Sequence, residues 1–260
     1  MVFAVSLQPS FQFMNLRFFY YFGHYLLFMK SMIARPEKTR IFFKRLSDEM
    51  YKIGIGSLPI IAITSLFIGA VTTVQTAYQL VSGLISKSVI GTIVSDSTML
   101  ELGPTISCLV LSGKVGAHIA SEIGNMRISE QIDALDVMGI NAPGYLALPK
   151  IIAGMIMIPI LNIVAITLSI YGGYMAGELS GILTHEEFIS GARSTFKGFT
   201  VFFSTVKAFT FAFIITSVSS YQGYYTTGGA LGVGESSTRA VVYSSVLVLF
   251  FDYILAEILL

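Results

Sequence analysis

Residues 60–81 read IIAITSLFIGAVTTVQTAYQLV, a run without one charged side chain. A helix needs about 20 mostly apolar residues to cross the hydrocarbon core of a bilayer. This run supplies them, inside a longer apolar stretch from about Gly54 to Leu84. Its apolar residues are continuous rather than alternating, which argues against a β-barrel strand. Four further stretches qualify: Val89 to Ile119, Tyr145 to Met175, Phe199 to Ser220 and Ala240 to Leu260. The second is the least apolar, holding Asp96, Glu101, Pro104 and Lys114. Several exceed the minimum length, so tilt or extension beyond the bilayer is expected. The expected fold class is all-α, a polytopic helical membrane protein with five spans and no internal repeat.

Composition points the same way. The 260 residues are 54% hydrophobic and only 12% charged, against about 25% charged in a soluble domain. Such a chain cannot cover a water-facing surface, which excludes an ordinary cytosolic enzyme and a disordered protein. A net charge of +1 excludes nucleic-acid binding by bulk electrostatics. The lone cysteine, Cys108, excludes an internal disulfide and a Cys-rich metal site.

Residues 1–52 differ from the rest. Phe11 to Ile33 is aromatic-rich and interrupted by Arg17, Gly23, His24 and Lys30. Thr39 to Tyr51 puts Ile41, Phe42, Arg45, Leu46 and Met50 near one side of a helix, with Lys44, Asp48 and Lys52 on another. That pattern predicts an amphipathic helix lying in the membrane interface. A sixth span over residues 11–33 is the alternative. Residues 53–260 then form the membrane bundle. With the N-terminus in the cytoplasm, twelve of the Lys and Arg residues fall inside and three (Lys87, Arg193 and Lys197) outside, with Lys207 left in the membrane. The positive-inside rule therefore predicts an N-in, C-out topology.

Residues 121–145, SEIGNMRISEQIDALDVMGINAPGY, join the second and third spans. Ser129 is the expected N-cap, with Glu130 in the first turn. Gly139 suits the position just past the helix end, and Pro143 follows. Ile128, Ile132, Leu135 and Met138 make one apolar stripe. The helix is too short to span, so it packs on its own bundle or docks a partner.

Several separated strings resemble the MlaE-type permeases, the membrane subunits of Mla (maintenance of lipid asymmetry) ABC transporters. They are GPTISCLVLSGKVGAHIASEIGNMRISEQIDALDVMGI at 103–140, FIGAVTTVQ at 67–75, GGALGVGESSTRAVVYSS at 228–245 and DYIL at 252–255. The resemblance covers nearly everything after about residue 40. Leu100 stands where an Arg often precedes Glu-Leu-Gly-Pro, Lys114 replaces an Arg and Ser129 a Thr. The family implies a homodimer in the bacterial inner membrane and an MlaE-type domain over 53–260. It implies a cytoplasmic ABC ATPase docked on a coupling helix at about 125–138, through Glu122, Arg127, Glu130, Gln131, Asp133, Leu135 and Met138. A periplasmic MCE-type lipid-binding protein and phospholipid cargo are implied too. The ATP is used by the partner, and no cofactor is expected on this chain. Other readings are a permease for a sterol or fatty acid, as in Mce-type relatives, and a non-transporting scaffold.

The chain lacks its own nucleotide chemistry. GALGVGES at 229–236 has the spacing of a phosphate loop, but Glu235 stands where that loop needs Lys. It is expected to be a flexible connection into the last helix. His24, His118 and His185 are too far apart for a metal site. Small residues at Gly116, Ala120 and Gly124, and at Gly173, Gly177 and Gly181, form two stripes for close helix packing. The ionisable residues Glu101, Lys207 and Asp252 fall inside spans, where a charge costs about 2.5–3.5 kcal/mol on insertion scales. A base and two acids can neutralise one another there. Val74, Gln75, Tyr78 and Val81, with Leu100 and Glu101, are the expected lining of a lipid cavity, whose apolar walls suit acyl chains.

Overall fold

A computed structural model describes residues 10–33, 39–80, 86–194 and 196–259. Val81 of the expected cavity and Arg35 and Lys38 of the charge count lie outside the described residues. The helices are α1 (Ser10–Ile33), α2 (Thr39–Ile53), α3 (Leu58–Gln79), α4 (Ser88–Ile128), α5 (Gln131–Val137), α6 (Ala142–Leu179), α7 (His185–Ser194), α8 (Gly198–Tyr224) and α9 (Gly229–Leu259). There is no strand among the described residues. Five helices, α3 (preceded almost without a break by α2), α4, α6, α8 and α9, are long and apolar enough to cross a membrane. The chain is therefore a multi-pass helical membrane protein.

Four of the spans extend beyond their apolar stretches, whereas α3 lies within its own. α4 continues to Ile128 rather than stopping at Ile119, and α6 runs from Ala142 to Leu179. The expectation of a flexible connection at 229–236 is corrected: those residues are the first turns of α9. Gly228 and Gly229 make the preceding turn, with φ of +90° and +69°. Gly181 does not extend the small-residue stripe of α6. It has φ +67° just past the helix end.

Lipid tails are as apolar as the helices, so packing rather than the hydrophobic effect holds spans together. The closest crossing is α3 on α6. A Cβ at Gly69 would overlap the Ser169 carbonyl, and one at Gly172 would overlap the Leu66 carbonyl. Around this seam lies the main core, with Ile61, Leu111, Ile119, Ile158, Phe211 and Ile215. Asn162 of α6 donates to Ser204 Oγ of α8 at 2.9 Å.

α1 and α2 lie against one end of the bundle. Phe28 and Met32 of α1 are buried with Ala147 and Ile151 of α6. Phe42, Leu46, Met50 and Ile53 turn one face of α2 into the core, while Ile41 stays exposed. At the opposite end, α7 begins with a capping box. Thr184 N–H donates to Glu187 Oε2 at 2.9 Å, and Glu187 N–H to Thr184 Oγ1 at 3.4 Å. These bonds hold the Glu187 carboxyl below its ordinary pKa.

Candidate functional site

α4 is not a regular helix. Residues Thr98–Ile106 and Ser112–Gly116 wind as wider π-helical segments, a device frequent at functional sites. Pro104 lies inside the first. Proline has no N–H, so it donates no bond to the preceding turn of this wide helix. Lys207 of α8 reaches the same turn: its Nζ donates to Leu100 O at 3.2 Å.

The same ammonium joins the two acids expected inside the spans. Lys207 Nζ lies 2.8 Å from Glu101 Oε1 and 2.6 Å from Asp252 Oδ1 of α9. The Lys207 side chain is fully buried, Asp252 is 16% exposed and Glu101 45%. Thr105 Oγ1 donates to Asp252 Oδ1 at 3.0 Å. Lys207 therefore ties α4, α8 and α9 within one chain. One cation facing two carboxylates leaves a formal charge of −1 when all three are ionised, and Glu101 presents the open part of it. The triad is a polar point set in an apolar wall.

A second cluster lies where α2 meets the bundle. Lys150 of α6 is buried, with Nζ 2.7 Å from Glu49 Oε1 and in contact with Glu122 Oε2. Lys52 pairs with Glu122 at 2.9 Å. Arg45 stacks over the Tyr145 ring at 3.5 Å and donates to Tyr145 O at 3.2 Å. A proline in this part of α6, Pro149, removes the N–H that the Tyr145 carbonyl would have received in a regular helix. The sequence signal for the first cluster was the presence of ionisable residues inside apolar spans. Glu49 and Lys150 were missed because neither stands out from its charged neighbours in the sequence.

The short connecting helix is α5. Ser129 does not cap it: Ser129 Oγ donates back to Asn125 O at 2.7 Å, closing α4. Glu130 is the turn residue instead, in the left-handed region at φ 59°. Gly139 has φ +75° just after the helix, as a C-terminal glycine requires. Arg127 and Asp133 pair at 2.7 Å across the turn. The apolar stripe is split. Ile132 is fully buried and Leu135 packs on the chain's own core. The outward apolar groups are Val137, 89% exposed, and Met138, 65% exposed. Glu130, Gln131 and Asp133 are exposed beside them, whereas Glu122 is turned to the two lysines.

The expected cavity residues are not gathered inside the chain. Val74, Gln75 and Tyr78 stand on the outer face of α3, and Tyr78 is 81% exposed. Leu100 is half-buried beside Glu101. Any chamber these residues line would be closed by something outside this chain.

A family described as Permease MlaE matches residues 46–258. A probable ABC transporter permease protein of Rickettsia bellii is 36% identical over 91% of each chain. A probable ABC transporter permease protein of Synechocystis is 33% identical, covering 84% of this chain and 82% of its own. The intermembrane phospholipid transport system permease protein MlaE of Haemophilus influenzae is 30% identical over 88% of this chain and 87% of its own.

Proposed function

The chain belongs to the MlaE permease family and is a membrane permease of the ABC transporter class rather than an enzyme, and from that premise we propose that it carries phospholipid between the inner and outer membranes of a bacterium. The cargo is read from the Haemophilus relative. The observation that carries the mechanism is the Lys207 triad, seated in the π-helical part of α4 with Glu101 half open.

In this reading two protomers face each other in the inner membrane. The exposed apolar faces of α3 and α9, including Phe67, Val71, Tyr243, Val246 and Phe250, support such a partner. Val74, Tyr78, Leu100 and Glu101 then line a shared chamber whose apolar walls receive acyl chains. A separate ATPase docks on the outward side of α5 and supplies the energy. Closure of that ATPase displaces α5. The Arg127–Asp133 pair passes the movement to α4, where the π-helical segments allow the helix to shift around the triad. An MCE-type protein on the periplasmic face hands lipid on. The residue ranges 1–52 and 53–260 act as interfacial clamp and transport domain.

Lipid analysis of the purified complex tests the cargo. Phospholipid should co-purify with the permease and its ATPase above the amount held by an unrelated membrane protein of similar span number. It should fall when Tyr78 is changed to a charged residue. A complex enriched in sterol or free fatty acid instead would overturn the phospholipid reading.

A further inference from the structure

At the end of the bundle away from α5, the helices α4, α6 and α7 and the start of α8 leave a cleft of about 370 Å³. That falls within the about 300–1,000 Å³ typical of ligand sites. Its walls are apolar, built from Met99, Ile166, Ile170, Ile189 and Phe196. One lining residue is charged, Arg193 in the last turn of α7.

Three features say what it takes. Arg193 is exposed and makes no ion pair among the described residues. The cleft margin is apolar and open: Phe196 is 59% exposed and Ile163 52%. Ile163 lies well inside the spanning helix α6, so the cleft opens sideways, where a membrane protein meets lipid. An unpaired guanidinium beside an apolar slot matches an amphiphile with an anionic head, and its planar fork suits phosphate.

We infer that this lateral cleft binds one membrane phospholipid, an acyl chain between α4, α6 and α7 and its phosphate on Arg193. The site is distinct from the Lys207 triad, with which it shares no residue. The choice of phospholipid rests on the function proposed above.

The test uses the full chain with its ATPase in nanodiscs. The probe is a phosphatidylglycerol with a photoreactive group in one acyl chain, and labelled residues are mapped by mass spectrometry. Labelling should concentrate on residues 95–99, 163–170 and 196. Arg193→Glu should lower it about tenfold, the loss of one charge-assisted hydrogen bond, while Arg193→Lys retains part. Ile166→Trp should abolish cleft labelling by filling the slot. A diacylglycerol carrying the same photoreactive group should label weakly and ignore Arg193→Glu. Labelling spread evenly over the apolar surface, or indifferent to Arg193, would overturn the inference. So would full competition by inorganic phosphate, which would make this an anion site. Disulfide pairing of Phe196→Cys between two copies, with the cleft unlabelled, would make it a contact between protomers. Cleft labelling without ATP-driven transfer supports this site and counts against the proposed function. Transfer without cleft labelling does the reverse.

Discussion

Lys207→Ala removes the one cation between two carboxylates. Lys207 is fully buried against both acids, and the Leu100 carbonyl loses its side-chain donor as well. Breaking a buried ion pair typically costs about 3–5 kcal/mol. The two acids do not share that cost equally. Asp252 is 16% exposed and bears most of it. Glu101 is 45% exposed and is relieved by solvent. The expected loss is therefore near the lower end, about 3 kcal/mol. A double-mutant cycle separates the terms. Lys207→Ala with Asp252→Asn should recover about 1–2 kcal/mol, within the range for residues in one network. Lys207→Ala with Glu101→Gln should recover less. The assay is thermal unfolding of the detergent-solubilised protein followed by size-exclusion chromatography, beside the amount inserted in membranes. Additive effects with no rescue by either acid would refute the reasoning. Equal rescue by both would refute the exposure argument.

Four other outcomes follow from the geometry. Val137→Asp should release the ATPase in co-purification while the permease stays folded, because truncating an interface anchor often costs above about 2 kcal/mol. Leu135→Asp should instead lower permease abundance, since Leu135 packs on its own core. Gly69→Leu should abolish accumulation, because its side chain would meet the Ser169 backbone and overpacking alone costs about 1–3 kcal/mol; wild-type abundance on a membrane immunoblot would show that α3 and α6 do not cross there. Lys150→Ala should leave the half-exposed Lys52 as the remaining cation on Glu49 and Glu122 and loosen α2, read as faster proteolysis within residues 39–53; unchanged cleavage would show that Lys52 and the apolar face of α2 suffice to hold it.

The five spans were legible because the bilayer imposes one rule, about 20 apolar residues per crossing, and residues 60–81 satisfy it without a charge. Helix ends were less legible. α4, α6 and α9 run past their apolar stretches into polar sequence that a helix tolerates but does not advertise, as at Gly229–Ser236. The grouping of Glu101, Lys207 and Asp252 could be anticipated because each charge is expensive alone. Its seat beside the π-helical turn of α4, where Lys207 also reaches the Leu100 carbonyl, was not readable from the charges alone. The outward face of α5 was misread because helical periodicity gives a stripe but not its direction. Ile132 and Leu135 face the bundle, and only Val137 and Met138 are left outside. Tyr78 shows the remaining gap: a residue on an outer face acquires surroundings only from a second molecule.

The most direct test of the account is ATP-driven lipid movement by the reconstituted permease and ATPase. Proteoliposomes carrying a fluorescent phospholipid are mixed with acceptor MCE-type protein, and transfer is followed with and without ATP. The account predicts ATP-dependent transfer that stops with a hydrolysis-deficient ATPase and falls sharply with Lys207→Ala assayed at equal permease content. Transfer that ignores ATP, or is undiminished by Lys207→Ala in a correctly assembled complex, would contradict it.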